Sequence, residues 1–441
     1  MYKRFFNVGT KTVKDKVIDY LSGLFVTERG KRNIERMTEQ VKDSNYENLQ
    51  HFISNSPWDT KGLIIKNSQN VSKKLVGYGL IGCTVDEKAN LKKGTKSAGV
   101  ARQYAGTVGK VENCQVGVYL SLCAGKYASL TNYKLYLPKE WTDDKKRCLE
   151  AGIPEDKIVF KTKPQLALEM IKEHISNGVH FDYINGDGLY GNGYEFSKGL
   201  EQLGIKYVLD VHSNHDIYLK KPNISVPQKT ANKRGRDPKL LKADIESVSI
   251  SGYVETLKSE NFQRIRIRKT TKGWLEAYIH IAKVWVWDKQ NNDTEAIEQT
   301  LIVRLPVQKK VRPKYSLSNI EFEEQNIEML AFMQAQRFWI ERCFRDNSHD
   351  LGMSDYQVRT YKGFNNHMAL TCLAMEFVLQ QRLKNIELIP LLSYNDIRIL
   401  LADFIMSRGK NFNLRFDQLI KRHEQRAVDI SKHYKFSDLP K

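Results

Sequence analysis

"HFDYINGDGLYG", residues 180 to 191, runs an apolar, aromatic segment straight into an aspartate held between two glycines. A short apolar run of this kind, closed by glycine, reads as a buried strand, so Asp187 stands at a strand's end. Gly186 and Gly188 leave the backbone there open to close approach by a phosphate or a cation. Working outward, "PQLALEMIKEHISNG" (164 to 178) reads as a helix with Pro164 in its first turn and Gly178 just past its end. A second helix is expected over "YEFSKGLEQLG" (194 to 204) and a strand over "KYVLDV" (206 to 211). Earlier, "GYGLIGCTVD" (77 to 86), "CQVGVYLSLC" (114 to 123) and "NYKLYLP" (132 to 138) are rich in β-branched and aromatic residues and bounded by Gly, Asn or Pro. The order is β-β-β-α-β-α-β, an α/β arrangement around a mixed sheet.

At 441 residues the chain is long enough for two or three domains. Lys and Arg outnumber Asp and Glu 70 to 51, a net charge of +19. That suits a polyanionic partner, nucleic acid first and an anionic membrane second. No run of 18 apolar residues exists and the N-terminus lacks the apolar block of a signal peptide, which places the chain in the cytoplasm. The six cysteines form no C-x-x-C pair, so neither a disulfide framework nor a zinc ribbon is indicated. His212 and His215 have a spacing that zinc can use, but no second pair accompanies them, and "GTVGK" (106 to 110) is too short for a phosphate-binding Walker loop.

Residues 11 to 55 read as helical, with a break near Pro57 and Gly62. Residues 220 to 242 form a polar, basic, proline-containing loop. "FQRIRIRKTTKGWLEAYIHIAKVWVWD" and "TLIVRLPVQ" alternate as antiparallel strands, and helix returns over 319 to 347 and 367 to 383. The expected division is a helical DNA-binding domain at 1–75, an α/β core at 76–213 and 313–385 interrupted by an all-β insertion at 214–312, and a basic helical region at 386–441.

Three carboxylates occupy telling places in this order. Asp86 ends the first strand, Asp187 ends the fourth, and Glu341 lies in the helix after the insertion. If the first and fourth strands are neighbours, the two aspartates come side by side and a helix packed across the sheet brings the glutamate between them. Three hard oxygen donors suit Mg²⁺ or Mn²⁺ and a two-metal phosphoryl-transfer site. The alternative is that the aspartates are turn formers and the glutamate a solvated helix face. Successive strand residues face opposite ways, so only one of Asp86 and Glu87 can meet Asp187; the smaller, more polar face of Gly82 and Thr84 favours Asp86.

The blocks "DEKANLKKGTKSAGVARQYAGTVGKVENCQVGVYLSL" (86 to 122), "LYLPKEWTDDKKRCLEAGIPEDKIVFKTKPQLALEMI" (135 to 171), "GDGLYG" (186 to 191), "QRFWIERCFRD" (336 to 346) and "LGMSDYQVR" (351 to 359) resemble DDE transposases of bacterial insertion sequences. The resemblance is to the group with a β-strand insertion between the second Asp and the Glu. It implies a ribonuclease-H-like core and two Mg²⁺ or Mn²⁺ ions held by Asp86, Asp187 and Glu341. It also implies cleavage of double-stranded transposon ends and their joining to target DNA, with a homodimer on the DNA and a place at the bacterial nucleoid. Arg337 matches a family arginine one turn before the glutamate and is expected at a DNA phosphate, with an ion pair to Glu341 as the alternative. Gln334, Ser348 and Lys88 depart from the family pattern, where tyrosine, lysine and threonine are usual.

Lys92 and Lys93, shortly after Asp86, and Lys233, Arg234, Arg236 and Lys239, in the basic loop, are further candidates for DNA contact. The basic stretch 408 to 426 contacts DNA or forms a dimerising helix. Trp274, Trp285 and Trp287 are candidates for base stacking, with β-sheet core as the alternative for the latter two. Two other functions compete with a transposase: a catalytically inactive DNA-binding derivative, kept open by Lys88, Gln334 and Ser348, and a DNA endonuclease of the same fold with another purpose.

Overall fold

The structure is a computed structural model and describes residues 2–227, 239–270, 273–289, 293–308, 312–322, 326–387 and 392–408, with 421, 425 and 428. Strand β1 (Gly82–Leu91) is its organising element. It runs antiparallel to β3 (Lys110–Ala124), from Gly82 opposite Cys123 to Leu91 opposite Cys114. The far edge of β3 takes β2 (Ala101–Ala105) towards one end and β4 (Tyr127–Leu135) towards the other. On the opposite side of β1, β5 (Tyr183–Gly186) lies parallel to it and β6 (Tyr207–Val211) lies parallel to β5. Parallel neighbours need crossover connections. Helices α5 (Lys163–Ser176) and α6 (Tyr194–Gln202) supply them, α5 opening with Pro164 and a reciprocal Thr162–Gln165 capping box.

Both faces of the central strands are covered, and this explains their apolar texture. Ile81, Cys83 and Val85 of the β1 segment pack with Leu166, Met170 and Ile171 of α5 and with Phe196 and Leu200 of α6. The other face is closed by helices from both ends of the chain: α1 (Lys14–Val26), α2 (Ile34–Gln40), α3 (Tyr46–Ser54) and α4 (Thr60–Leu75) with α8 (Phe338–Asp350), α9 (Tyr361–Lys384) and α10 (Tyr394–Arg408). Leu24, Met37, Phe52 and Leu63 share one apolar cluster with Tyr119, Ile340, Phe364, Met368 and Ile397. The Tyr20 hydroxyl bonds to His367 Nδ1 at 2.7 Å inside it. The N-terminal helices are thus part of the core that supports α8.

The alternating segments after the basic loop form β7 (Gln263–Thr270), β8 (Gly273–Val286), β9 (Ile297–Pro306) and β10 (Lys314–Ser318). They do not stand apart from the first sheet. β10 pairs antiparallel with β6, Tyr315 opposite Val211 and Ser318 opposite Val208, and the hydrogen-bonded path β7-β8-β9-β10-β6-β5-β1-β3-β2, with β4 on β3, makes one ten-stranded sheet. The α/β class and large mixed sheet expected from the sequence are present. Alternation marks a strand but says nothing of its partner, and here the partner is the free edge of β6. Helix α7 (Ile327–Gln336) then crosses the sheet and leads into α8 through Arg337, which keeps helical dihedrals. No helix among the described residues is long and apolar enough to cross a membrane.

Candidate active site

The parallel register of β1 and β5 pairs Gly82 with Tyr183 and Thr84 with Asn185. Continued by two residues, it brings Asp86 alongside Asp187 where β5 ends. Asp86 Oδ1 accepts a hydrogen bond from Glu87 N at 2.8 Å, and Asp187 Oδ1 accepts one from Leu189 N at 3.0 Å, capping the helical turn Gly188–Gly191. Asp187 therefore is a turn former as well as a candidate ligand. The glycines around it answer to packing within the chain. A Cβ on Gly186 would lie 2.9 Å from Tyr190 Cβ, one on Gly188 2.7 Å from His212 Nε2, and one on Gly191 2.0 Å from the Asp210 carbonyl.

Burial pushes the Asp86 carboxyl well above the usual carboxylate range, and the charge of Asp187 adds to it. Asp187 is pushed up by burial and then by Glu87. Glu87 itself points the other way: Lys163 Nζ is 2.9 Å from its Oε1 and the Tyr190 hydroxyl donates to its Oε2 at 3.2 Å. Strand alternation thus gives the two adjacent acids different partners, Arg337 for Asp86 and Lys163 for Glu87, while the charge of Glu87 still reaches Asp187.

The expectation that Asp86 ends its strand is not met: β1 continues to Leu91, with Asp86 opposite Tyr119 of β3, because pairing with β3 carries the strand on. Across from Asp86 and the end of β5, Arg337 stands among carboxylates. Its Nη2 is 2.8 Å from Glu341 Oε1, its Nε 3.0 Å from Asp210 Oδ2 and its Nη1 3.6 Å from Asp86 Oδ2. Burial opposes its charge, but Asp210, Glu341, Asp86 and Asp187 together outweigh that and hold the guanidinium charged. The ion pair weighed as an alternative for Arg337 is therefore formed, within a larger cluster. Asp210, near the end of β6, was not singled out from the sequence; its one signal was a carboxylate inside the apolar run "YVLDV".

The residues that depart from the family pattern have structural partners. Gln334 is 2% exposed, and its Nε2 donates to Ser316 Oγ at 2.8 Å and to the Ile302 carbonyl at 3.3 Å. Ser348 Oγ accepts from Ser354 Oγ at 3.0 Å. Lys88 shares the Asp86 face of β1, with Nζ 5.8 Å from the Phe344 ring centroid. Among the expected DNA contacts, Lys92 is occupied by its own chain: Nζ sits 3.6 Å from the Tyr356 ring centroid and donates to the Tyr356 carbonyl at 3.2 Å, and burial holds its pKa down to about 8. Lys93 and Lys239 are exposed. Lys233, Arg234 and Arg236, and nearly all of 408 to 426, lie outside the described residues. Trp287 is core, its Nε1 donating to the Asp293 carbonyl at 2.7 Å beside Trp285; Trp274 is exposed, with Arg266 and Lys269 near its ring. The six cysteines are buried and free.

A family model described as "DDE superfamily endonuclease" matches residues 4–274. The chain belongs to that superfamily. The matched span of this DDE superfamily endonuclease holds Asp86 and Asp187 and ends before Arg337 and Glu341. A relative from Microchaete diplosiphon, named "Probable transposase for insertion sequence element IS701", is 32% identical over 199 residues, 44% of this chain. The match covers about half, 48%, of that relative's length. DDE superfamily endonucleases generally use divalent metals. Among the described residues of this one, no group of three or more His, Cys, Asp or Glu is arranged to hold a metal ion as it stands. The donor set nonetheless suits one, because Asp86 and Asp187 are adjacent buried carboxyls whose charging is disfavoured, a cost that a hard cation would offset.

Proposed function

We propose that this chain is the transposase of an insertion sequence, which cuts the ends of its element and joins them to target DNA. The observation that carries the reading is the closeness of the buried Asp86 and Asp187 to each other and to Arg337, which lies one turn from Glu341 on its helix. The relative named as a probable transposase supports it. The strand order β4-β3-β1-β5-β6, antiparallel then parallel, supports assigning 76–213 and 313–385 to a ribonuclease-H-like core. The strands of the insertion add to the edge of that core, and residues 1–75 brace α8 while taking part in DNA binding.

In this reading Asp86, Asp187 and Glu341 would hold two Mg²⁺ or Mn²⁺ ions. When bound, these supply charge stabilisation and activate the attacking hydroxyl. Arg337 exchanges its carboxylate partners for oxygens of the scissile phosphate, which its planar fork matches in pairs. Lys93, Lys239 and the basic loop contact the DNA backbone, and two copies of the chain act together on the paired ends.

The test is cleavage of duplexes carrying the short inverted repeats that flank the gene. Wild-type protein with Mg²⁺ is expected to cut them at the element's edge, while Asp187→Asn and Glu341→Gln bind but do not cut. Cutting in chelator or by either variant would refute the assignment. Equal cutting of unrelated duplex would favour a general endonuclease, and binding without cutting by the wild type an inactive derivative.

A further inference from the structure

Arg337 is held unevenly by its three carboxylates. Glu341 is 52% exposed, so water competes for that arm, and the 3.6 Å separation from Asp86 is beyond ordinary hydrogen-bond length. The Asp210 arm differs. Asp210 is 14% exposed, its Oδ2 takes Arg337 Nε at 3.0 Å, and its Oδ1 accepts from Ser316 Oγ at 2.7 Å. Ser316 Oγ is in turn bonded by Gln334 Nε2 at 2.8 Å, and both Ser316 and Gln334 are buried. A chain of polar contacts therefore runs from α7 through β10 to the end of β6 and on to the guanidinium. Every link but the last is fixed by sheet pairing or helix packing, Ser316 lying opposite Asp210 in the β10–β6 ladder.

Resting on the transposase reading, we infer that Asp210 is the positioning residue for Arg337, the fixed pivot about which the guanidinium changes partners. With Nε anchored, Nη2 stays paired with Glu341 of α8 and Nη1 stays aimed at Asp86, midway along β1, in the DNA-free protein. A scissile phosphate that takes both Nη groups frees the two carboxylates together, so phosphate binding and cation binding become coupled through one side chain. Lys314 Nζ, 4.0 Å from Asp210 Oδ2 and 44% exposed, is too distant and too solvated to replace Arg337 in this role. The place of Gln334 follows as well: it secures the serine that orients the pivot.

The experiment measures single-turnover cleavage rate and the Kd of end duplex for wild type, Asp210→Asn, Arg337→Gln and the double variant, all in Mg²⁺. Asparagine keeps the shape and the acceptor for Ser316 but loses the charge that holds Nε. Asp210→Asn is expected to slow cleavage by about ten- to hundred-fold, the usual range for residues that orient a reacting group, with Kd changed by less than about threefold. The double variant should cut no more slowly than Arg337→Gln alone, since both changes act through the same group. Ser316→Ala, a milder change that leaves Asp210 in place, should show the same split between rate and Kd and should lose it on the Arg337→Gln background. Wild-type rates in Asp210→Asn and Ser316→Ala, or additive losses in the double variant, would overturn the pivot alone. A wild-type chain that leaves end duplex intact would overturn the transposase reading and the pivot with it.

Discussion

Glu87 is paired with Lys163 at 2.9 Å on the face of β1 opposite to Asp86. Two acids adjacent in sequence thereby have different partners, Glu87 tied to α5 and Asp86 facing Arg337, although the charges of both are felt together with that of Asp187. Asp86→Asn is expected to eliminate cleavage of end DNA at saturating Mg²⁺. Glu87→Gln keeps a measurable fraction, because its partners Lys163 and Tyr190 lie on the far face. Activity assays on folded, DNA-bound variants decide between them, and the opposite ranking would place the metal on the other face.

Buried like charges are expected to cost stability where no cation is present. Asp86 and Asp187 have folded-state pKa values raised above those of an unfolded chain. Their stabilising contribution is therefore full only below the ordinary carboxyl range and is lost as pH rises through the raised values. In chelator at neutral pH, Asp187→Asn should melt above wild type, by on the order of 2 °C if about 1 kcal/mol is recovered. Added Mg²⁺ should raise the melting temperature of wild type and leave that of the variant unmoved. Calorimetry showing equal Mg²⁺ shifts in both would remove Asp187 from the ligand set.

Replacing Gln334 by tyrosine, the residue usual at that place in the family, should not add a DNA contact. The side chain is enclosed between α7 and the β9–β10 ladder, so a larger ring overpacks the site and strands Ser316. Gln334→Tyr is expected to lower unfolding free energy by about 1–3 kcal/mol, read from urea denaturation. Undiminished stability with tighter DNA binding would show that the position faces the substrate.

Two histidines should make the protein acid-sensitive. Burial pushes His174 down to about 4 and His367 down to about 3. The unfolded chain binds protons from near pH 6.5 that the folded chain refuses. Each histidine therefore withdraws up to about 1.4 kcal/mol per pH unit as pH falls from there towards its folded value. Neither ring nitrogen of His174 has a hydrogen-bond partner among the described residues. His174→Leu should consequently flatten the decline between pH 6.5 and about 4 without a large loss at pH 8. Parallel stability curves for the two proteins would exclude this cause.

The sequence by itself determined the strands and helices around Asp187, because periodicity and terminal glycines are local signals. Alternation also turned Asp86 and Glu87 to different partners without knowledge of the neighbours, but the local pattern ended their strand at Asp86, where pairing with β3 carries it on to Leu91. The blocks that marked the DDE resemblance are likewise contiguous. What needed the tertiary structure was everything set by partner choice. Strand alternation could not show that β10 would join the edge of β6, or that residues 1–75 would close over the same core as α8. The spacing of four between Arg337 and Glu341 is readable in one helix, but Asp210 reaches that arginine across 127 positions of sequence, through a strand pairing with no local signature. Gln334, which departs from the family pattern in the sequence, takes its partner Ser316 from the strand that pairs with Asp210. Local free energies choose the elements, whereas the identity of buried polar neighbours depends on which edges meet, and that is decided only when the whole sheet is assembled.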